Sequence, residues 1–308
     1  MKKINIILPV YNESESIISF LELLEENIQK LNYEFLVTIV DDGSVDTTWD
    51  DIYNFEFKSE NLSLLKIKLL KNFGHQAALT CGLENFKGDA CILMDADFQD
   101  DPKYIKDLIG NWENGSEVVL ARRLKRDDGF LKNVLFYLFY KVQYYLSDIK
   151  IPKNVGHYSL MSKKVVERIN NLPEVNRYIN GLRALSSYRH TFISVVKNKR
   201  RSGKSKMSLK NLFDLALKGI FDYSTKPIRL IGYLGLLISI GSILFSVIVF
   251  LQSQLYGVKV FNWDFGLSSI YFLSGLQLLS LSIIGEYIRS IFTEIKKRPI
   301  YIIDQVVD

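Results

Sequence analysis

Ala90-Cys91-Ile92-Leu93-Met94-Asp95-Ala96-Asp97 is the stretch whose reading decides the fold. Five apolar residues in succession are the pattern of a strand buried on both faces, and the run stops on two acids one residue apart. In open α/β sheets, ligands gather outside the carboxyl ends of the strands, where this pair would stand. Two carboxylates so spaced can share one hard divalent cation, with a phosphorylated substrate supplying further oxygens. Asp-x-Asp also ends many ordinary solvated strands, so the surrounding sequence has to carry the reading.

Upstream, strand and helix alternate. Residues 4–10 read as a strand, and 14–31 as a helix with Ile17, Leu21, Leu24 and Ile28 on one face. Residues 35–40 form a second strand running into Asp41-Asp42-Gly43-Ser44; 46–53 form a short helix, 64–70 a third strand and 75–84 a helix. After the strand at 90–94 come a helix at 103–114 and a fifth strand at 117–121. Such alternation predicts an α/β fold, a doubly wound and mostly parallel sheet with helices on both faces. The polar clusters Pro9-Val10-Tyr11-Asn12-Glu13, Asp41-Asp42-Gly43-Ser44 and Asp95-Ala96-Asp97 then share one sheet edge. Their acidic and amide groups suit a base and a ribose. There is no Gly-rich phosphate loop of the dinucleotide or P-loop kind, so a cation has to neutralise much of a diphosphate. The pattern points to a nucleotide-diphosphate donor handled with a metal ion.

The far end of the chain is of another kind. Hydrophobic residues make up 48% of the 308, and many of them gather there. Residues 228–251 carry one charge, Arg229 at the edge, and 265–285 carry none. A bilayer core of ~30 Å needs about 20 helical residues, so both stretches can span it. Lys218, Lys226 and Arg229 precede the first span, while Arg289, Lys296, Lys297 and Arg298 follow the second. Positive outer flanks place both termini in the cytoplasm. Met1-Lys2-Lys3 leads into a strand too short for a signal-peptide core. Cys81 and Cys91 lie in apolar surroundings and read as reduced core thiols. A net charge of +5, with basic residues near the spans, favours anionic lipid or diphosphate over nucleic acid. Gly235, Gly241 and Ser242 would let membrane helices approach closely, which is compatible with a homo-oligomer.

Together these motifs resemble the family 2 glycosyltransferases of the GT-A fold, in their polyprenyl-phosphate glycosyltransferase branch. The resemblance rests on residues 9–13, Asp41-Asp42-Gly43-Ser44 with Asp46 and Thr47, and Asn72-Phe73-Gly74 with Ala77-Ala78. It continues through Asp95-Ala96-Asp97-Phe98-Gln99-Asp100, residues 160–166, residues 200–206 and the paired apolar segments. It implies a catalytic domain over 1–207, an amphipathic juxtamembrane helix over 208–226, a two-helix hairpin over 227–293 (spans near 228–251 and 265–288) and a cytoplasmic tail over 294–308. Pro9, Tyr11, Glu13 and Asp42 would contact the nucleoside. Asp95 and Asp97 would address Mg²⁺ or Mn²⁺ and the diphosphate, with Gln99 near the sugar. Arg123 and Arg126 match basic residues after the fifth strand; Arg200, Ser205 and Lys206 match a stretch that closes over phosphate. The implied reaction is inverting sugar transfer from a nucleotide-diphosphate sugar, UDP-glucose foremost, to undecaprenyl phosphate at the cytoplasmic membrane.

One stretch departs from the pattern. Relatives carry Gly-Asp-Phe-Arg-Leu, whose Asp is proposed as the base; here the residues are Gly156-His157-Tyr158-Ser159-Leu160. His157 therefore stands in the base position, to take a proton or to hydrogen-bond the acceptor phosphate. A phosphomonoester with its second pKa near ~6 is already largely anionic, which makes a strong base dispensable. A lipid hydroxyl acceptor would instead need one. A processive polysaccharide synthase would share the catalytic domain, but its Gln-x-x-Arg-Trp stretch is missing. A non-catalytic nucleotide-binding scaffold would fit the altered stretch at His157, yet not the intact Asp95 and Asp97.

Overall fold

Eight strands form one sheet in the order β7-β5-β6-β4-β1-β2-β3-β8. The computed structural model describes residues 1–123, 152, 155–187, 189–196, 225–256 and 263–308. The centre is parallel and built from the apolar runs of the sequence: β1 (Lys3–Val10), β2 (Glu34–Asp41), β3 (Leu62–Leu69) and β4 (Ala90–Leu93). In β1 every residue from Ile4 to Val10 is buried, as expected for a strand covered on both faces. Helices α1 (Ile17–Ile28), α2 (Thr48–Asn54) and α4 (Ile105–Glu113) pack with Ile4, Ile6, Val37 and Ile92 on one side. Helix α3 (His75–Glu84) sets Ala78 and Cys81 against Leu36, Val40 and Ile67 on the other. Both cysteines are free and buried.

The other half of the sheet is mixed. Strand β5 (Val118–Arg123) runs parallel to β7 (His190–Val195) and antiparallel to β6 (Val155–Ser162), which is itself antiparallel to β4. Helices α5 (Lys163–Asn170) and α6 (Ile179–Ser186) follow β6. Because β6 lies directly beside β4, residues 156–159 come to the same neighbourhood as the Asp95 loop.

Two long helices, α7 (Lys226–Tyr256) and α8 (Trp263–Lys296), form a separate unit. Within them, Lys226–Phe245 has a mean hydropathy of 2.0 and Ser269–Lys296 of 1.3, long and apolar enough to cross a membrane. The sequence reading leaves 294–308 as a tail. The structure instead returns part of it to the sheet as β8 (Ile303–Val307), antiparallel to β3, with the Tyr301 hydroxyl donating to Glu84. An exposed edge strand of five residues after a long apolar helix has no strong apolar pattern to announce it. Most of the expected juxtamembrane helix lies outside the described residues.

Candidate active site

The loops leaving β1 and β2 are laced into one polar unit. Asn12 sits at φ 51°, its N–H donating to Ser44 Oγ (2.9 Å) while its Oδ1 accepts from the Val45 N–H (3.0 Å). The Glu13 N–H donates to Thr48 Oγ1 (2.8 Å), and Ser16 Oγ donates to Glu13 Oε2 (2.8 Å). Pro9 is buried within β1, and Tyr11 and Glu13 are half-buried beyond its end. Asp41, fully buried, accepts from the Ser44 hydroxyl and N–H. Gly43 has φ +67°, and a Cβ there would stand 2.3 Å from the Lys71 carbonyl carbon. Both the backbone conformation and the close approach demand glycine.

Asp42 is 3% exposed and acts as a brace between loops: Oδ1 accepts from the Phe73 N–H (2.8 Å) and Oδ2 from the Gly74 N–H (2.9 Å). Burial pushes the Asp42 carboxyl above the usual carboxylate range, against those two N–H donors. Burial likewise raises Asp41, against the hydrogen bonds from Ser44. Asp42 thereby fixes the turn that starts α3 and aims its first side chain, His75.

Beyond β4 the loop alternates. Ala96, Phe98 and Asp100 are buried, while Asp95, Asp97 and Gln99 are half-buried. Phe98 adopts φ 63°, uncommon for a bulky residue, and its ring meets Phe20 edge-on at 5.5 Å. Asp100 Oδ2 accepts from the Asp95 N–H (3.1 Å), and Asp97 Oδ1 accepts from the Gln99 N–H (3.1 Å). Core packing of Phe98 thus pins a strained turn that presents Asp95, Asp97 and Gln99 along one edge. Among the described residues no cluster of three or more His, Cys, Asp or Glu side chains forms a closed metal cage. Two hard carboxylates on one loop suit a cation that completes its shell with substrate phosphate oxygens.

Two histidines meet here. His75 Nε2 lies 2.9 Å from Asp95 Oδ1, and its ring centroid is 4.9 Å from that of His157. Burial alone would lower the His75 pKa, but the Asp95 hydrogen bond and the charges of Asp95, Asp42 and Asp100 outweigh it and raise the value. His157 goes the other way: burial, then the neighbouring His75, drive it down to about 3. Gln76 Oε1 accepts from the Ile179 N–H (2.9 Å), so its NH₂ faces His157 Nε2 at 3.4 Å. That contact makes Nε2 the acceptor and leaves the ring proton on Nδ1, a buried atom with no hydrogen-bond partner among the described residues.

The hydroxyl of Ser159 receives a guanidinium from another element. Arg183 of α6 is 3% exposed; its Nη1 donates to Ser159 Oγ (2.6 Å) and its Nη2 to the Gly156 carbonyl (3.0 Å). Arg123 closes the other side, its Nη2 3.1 Å from where a Gly156 Cβ would stand. The structure therefore brings Asp95 and Arg123 to His157, from the end of β4, the end of β5 and β6, with Asp97 and Gln99 on the same turn as Asp95 and Asp42 bracing the start of α3. Arg126, Arg200, Ser205 and Lys206 lie outside the described residues. Sequence reasoning passed over His75, Gln76 and Arg183. His75 carried a signal, being one of three histidines and directly following Asn72-Phe73-Gly74; Arg183 carried none.

Residues 5–169 match the model of glycosyl transferase family 2. A prophage bactoprenol glucosyl transferase homolog of Escherichia coli is 36% identical over 305 residues, covering 99% of this chain and 99% of its own length. The SfII prophage-derived bactoprenol glucosyl transferase of Shigella flexneri is 37% identical, over 98% of this chain and 97% of its own. Among solved structures, S. aureus TarS with UDP-GlcNAc is 19% identical, with a TM-score of 0.48, over 72% of this chain and 66% of that one. With a family match over more than half its length and relatives of this identity end to end, the chain is a glycosyltransferase of family 2, similar to the bactoprenol glucosyl transferases.

Proposed function

We propose that this enzyme transfers glucose from UDP-glucose to undecaprenyl phosphate, with inversion, at the cytoplasmic face of the membrane. The observation that carries the reading is the strained Asp95–Asp100 turn, which offers two carboxylates and an amide on one sheet edge in a chain end-to-end similar to bactoprenol glucosyl transferases. Tyr11, Glu13 and the Asp42-braced loop would hold the nucleoside. Asp95 and Asp97 would hold Mg²⁺ or Mn²⁺, which when bound supplies positive charge against the diphosphate as it leaves. An oxygen of the lipid phosphate attacks the anomeric carbon, the bond to the diphosphate oxygen breaks, and Gln99 and Arg123 orient the two anionic partners.

The state of His157 bears on the acceptor. An imidazole pushed to about 3 is a poor general base at neutral pH. That favours a phosphate acceptor, already ionised, over a lipid hydroxyl. His157 then lines the acceptor side as a neutral polar wall.

The hairpin supports membrane attachment on two counts. Its apolar windows are unburied, unlike a soluble core helix, and lie far from the N-terminus, unlike a signal sequence. Leu236, Leu237, Ile243 and Leu244 are all at least 58% exposed, a surface that water would not tolerate in a stable helix. β8 follows α8 in the chain and pairs with β3 of the sheet that precedes α7. With the basic flanks, this supports cytoplasmic termini.

The test is transfer of radiolabelled sugar from a panel of nucleotide sugars to undecaprenyl phosphate in detergent, with and without EDTA. Label entering the lipid only from UDP-glucose, and only with metal, is the expected result. Label from another donor renames the sugar. Transfer that survives EDTA removes the metal, and label entering a hydroxyl lipid instead moves the acceptor.

A further inference from the structure

Of the two histidines in contact, the one the family pattern passes over holds the carboxylate. His75 begins α3, directly after a turn that Asp42 clamps through the Phe73 and Gly74 N–H groups. Its side chain is 42% exposed, and its Nε2 reaches Asp95 Oδ1 at 2.9 Å. The His157 ring lies against it at 4.9 Å, with planes 50° apart, and is itself held by Gln76 and by the Arg183 contact to its carbonyl (3.3 Å). A continuous set of contacts therefore runs from the nucleoside-side loop through Asp42, Gly74 and His75 to Asp95.

We propose that His75 is a positioning residue for sugar transfer: its Nε2–H fixes the orientation in which Asp95 meets the cation and diphosphate, and His157 backs its ring. The donation needs a proton on Nε2 only, so it holds for the neutral and the charged imidazole alike. Groups that hydrogen-bond a metal-binding carboxylate set its angle and basicity, and their loss weakens metal binding about 10- to 100-fold. His75 also ties metal binding to the nucleotide loop. A donor nucleotide that bears on the Asp42–Gly74 contact should tighten the cation site through it.

The inference rests on the reading of Asp95 and Asp97 as the metal site, and the experiment separates the two. Mn²⁺ affinity of the full chain in detergent is titrated by the paramagnetic resonance signal of free Mn²⁺, with UDP present. H75A is expected to bind Mn²⁺ about 10- to 100-fold more weakly. H75Q, whose amide nitrogen can stand near the old Nε2, is expected to recover most of that loss. At limiting Mn²⁺ the transfer rate of H75A should fall, and added Mn²⁺ should restore it; the same addition should not rescue D97N. If H75A binds Mn²⁺ as the wild type does while D95N does not, His75 has no positioning role and the metal reading stands. If H75A and H75Q lose affinity equally along with thermal stability, the role is packing and the proposal is overturned. If D95N and D97N both bind Mn²⁺ normally, the metal reading fails and takes the proposal with it.

Discussion

The first turn of α3 and the middle of β6 bring two imidazoles ring to ring and give them opposite characters. His75 projects from a loop edge among carboxylates, partly in solvent, and its pKa is raised. His157 points from a strand bonded on both sides, between Gln76 and two arginines, and is pushed to about 3. The same side chain thus serves charge on one element and stays neutral on the other. Which histidine handles anions is decided by the element that carries it, not by which one occupies the sequence position of a base.

The sharpest way to break this contrast is to remove the carboxylate that His75 faces. D95N keeps the shape and deletes the charge. It should lower kcat/KM for transfer to polyprenyl phosphate by about 10²- to 10³-fold, the scale of one preorganised electrostatic contact. Steady-state transfer with the labelled lipid measures it. Activity within about tenfold of wild type would mean that the His75–Asp95 pair stands outside the reacting centre.

Next comes the support behind His157. Arg183 is buried and bonds the Gly156 and His157 carbonyls and Ser159 Oγ. R183M fills most of the volume but orphans these acceptors, at a cost of about 2–4 kcal/mol. A lowered thermal midpoint, with loss of amide-exchange protection confined to residues 155–160, is the expected signature. R183K keeps the charge without the planar fork and should fall between the two.

The same contrast explains what the sequence could be made to yield. Strands β1 to β4 are parallel; β1, β2 and β4 are buried along nearly their whole length and written as mostly apolar runs such as 90–94, while β3 is broken by Ser63, Lys66 and Lys68. Helix α3 reads from the sequence as 75–84, although residues 77–83 are all buried and no single apolar stripe marks it. The mixed half is harder. β6 reads Val-Gly-His-Tyr-Ser-Leu-Met-Ser, with its outer residues half-buried and no clean alternation, and only the likeness to family motifs drew attention to it. β8 is short, exposed and recruited by a partner some 240 residues earlier, a pairing no local pattern encodes. The Asp95 and Asp97 carboxylates were readable because their strand announces them. His75 carried only the signal of its rarity and its place after Asn72-Phe73-Gly74, and Arg183 none, because their contacts arise from which side chains the fold sets opposite them.

The opposite shifts give opposite pH signs. His157 has a folded pKa of about 3 against 6.5 when unfolded. Above 6.5 neither state is protonated and the shift costs nothing. As pH falls below 6.5, the unfolded chain takes up a proton that the folded chain refuses, and stability is lost, by about 2 kcal/mol near pH ~5. H157Q should flatten this acid limb in thermal melts. His75, with its folded pKa raised, contributes stability that is present below 6.5 and lost as pH rises through the folded value. H75Q should therefore act above pH 6.5, where H157Q has no effect, and two variants with matching pH profiles would erase the distinction between the histidines.

The smallest expected effect tests the contact that assigns the His157 tautomer. Gln76 is a two-sided link: its carbonyl takes the first N–H of α6, and its NH₂ faces His157 Nε2. In Q76L, Ile179 loses an acceptor where its side chain is fully buried, at about 1–2 kcal/mol. The ring proton is then no longer held on Nδ1, and Nε2–H becomes populated. Ring-nitrogen chemical shifts of selectively labelled histidine should move from a single Nδ1–H form toward a mixture. Q76E goes further: it replaces a donor with an acceptor, forces the proton onto Nε2 and raises the pKa of the ring. If only Q76E makes His157 titrate near neutrality, burial and the charges of His75, Arg183 and Arg123 set the low basicity of this imidazole; if Q76L does so too, its amide neighbour contributes. The contrast with His75 then reduces to which hydrogen-bonding group each ring meets.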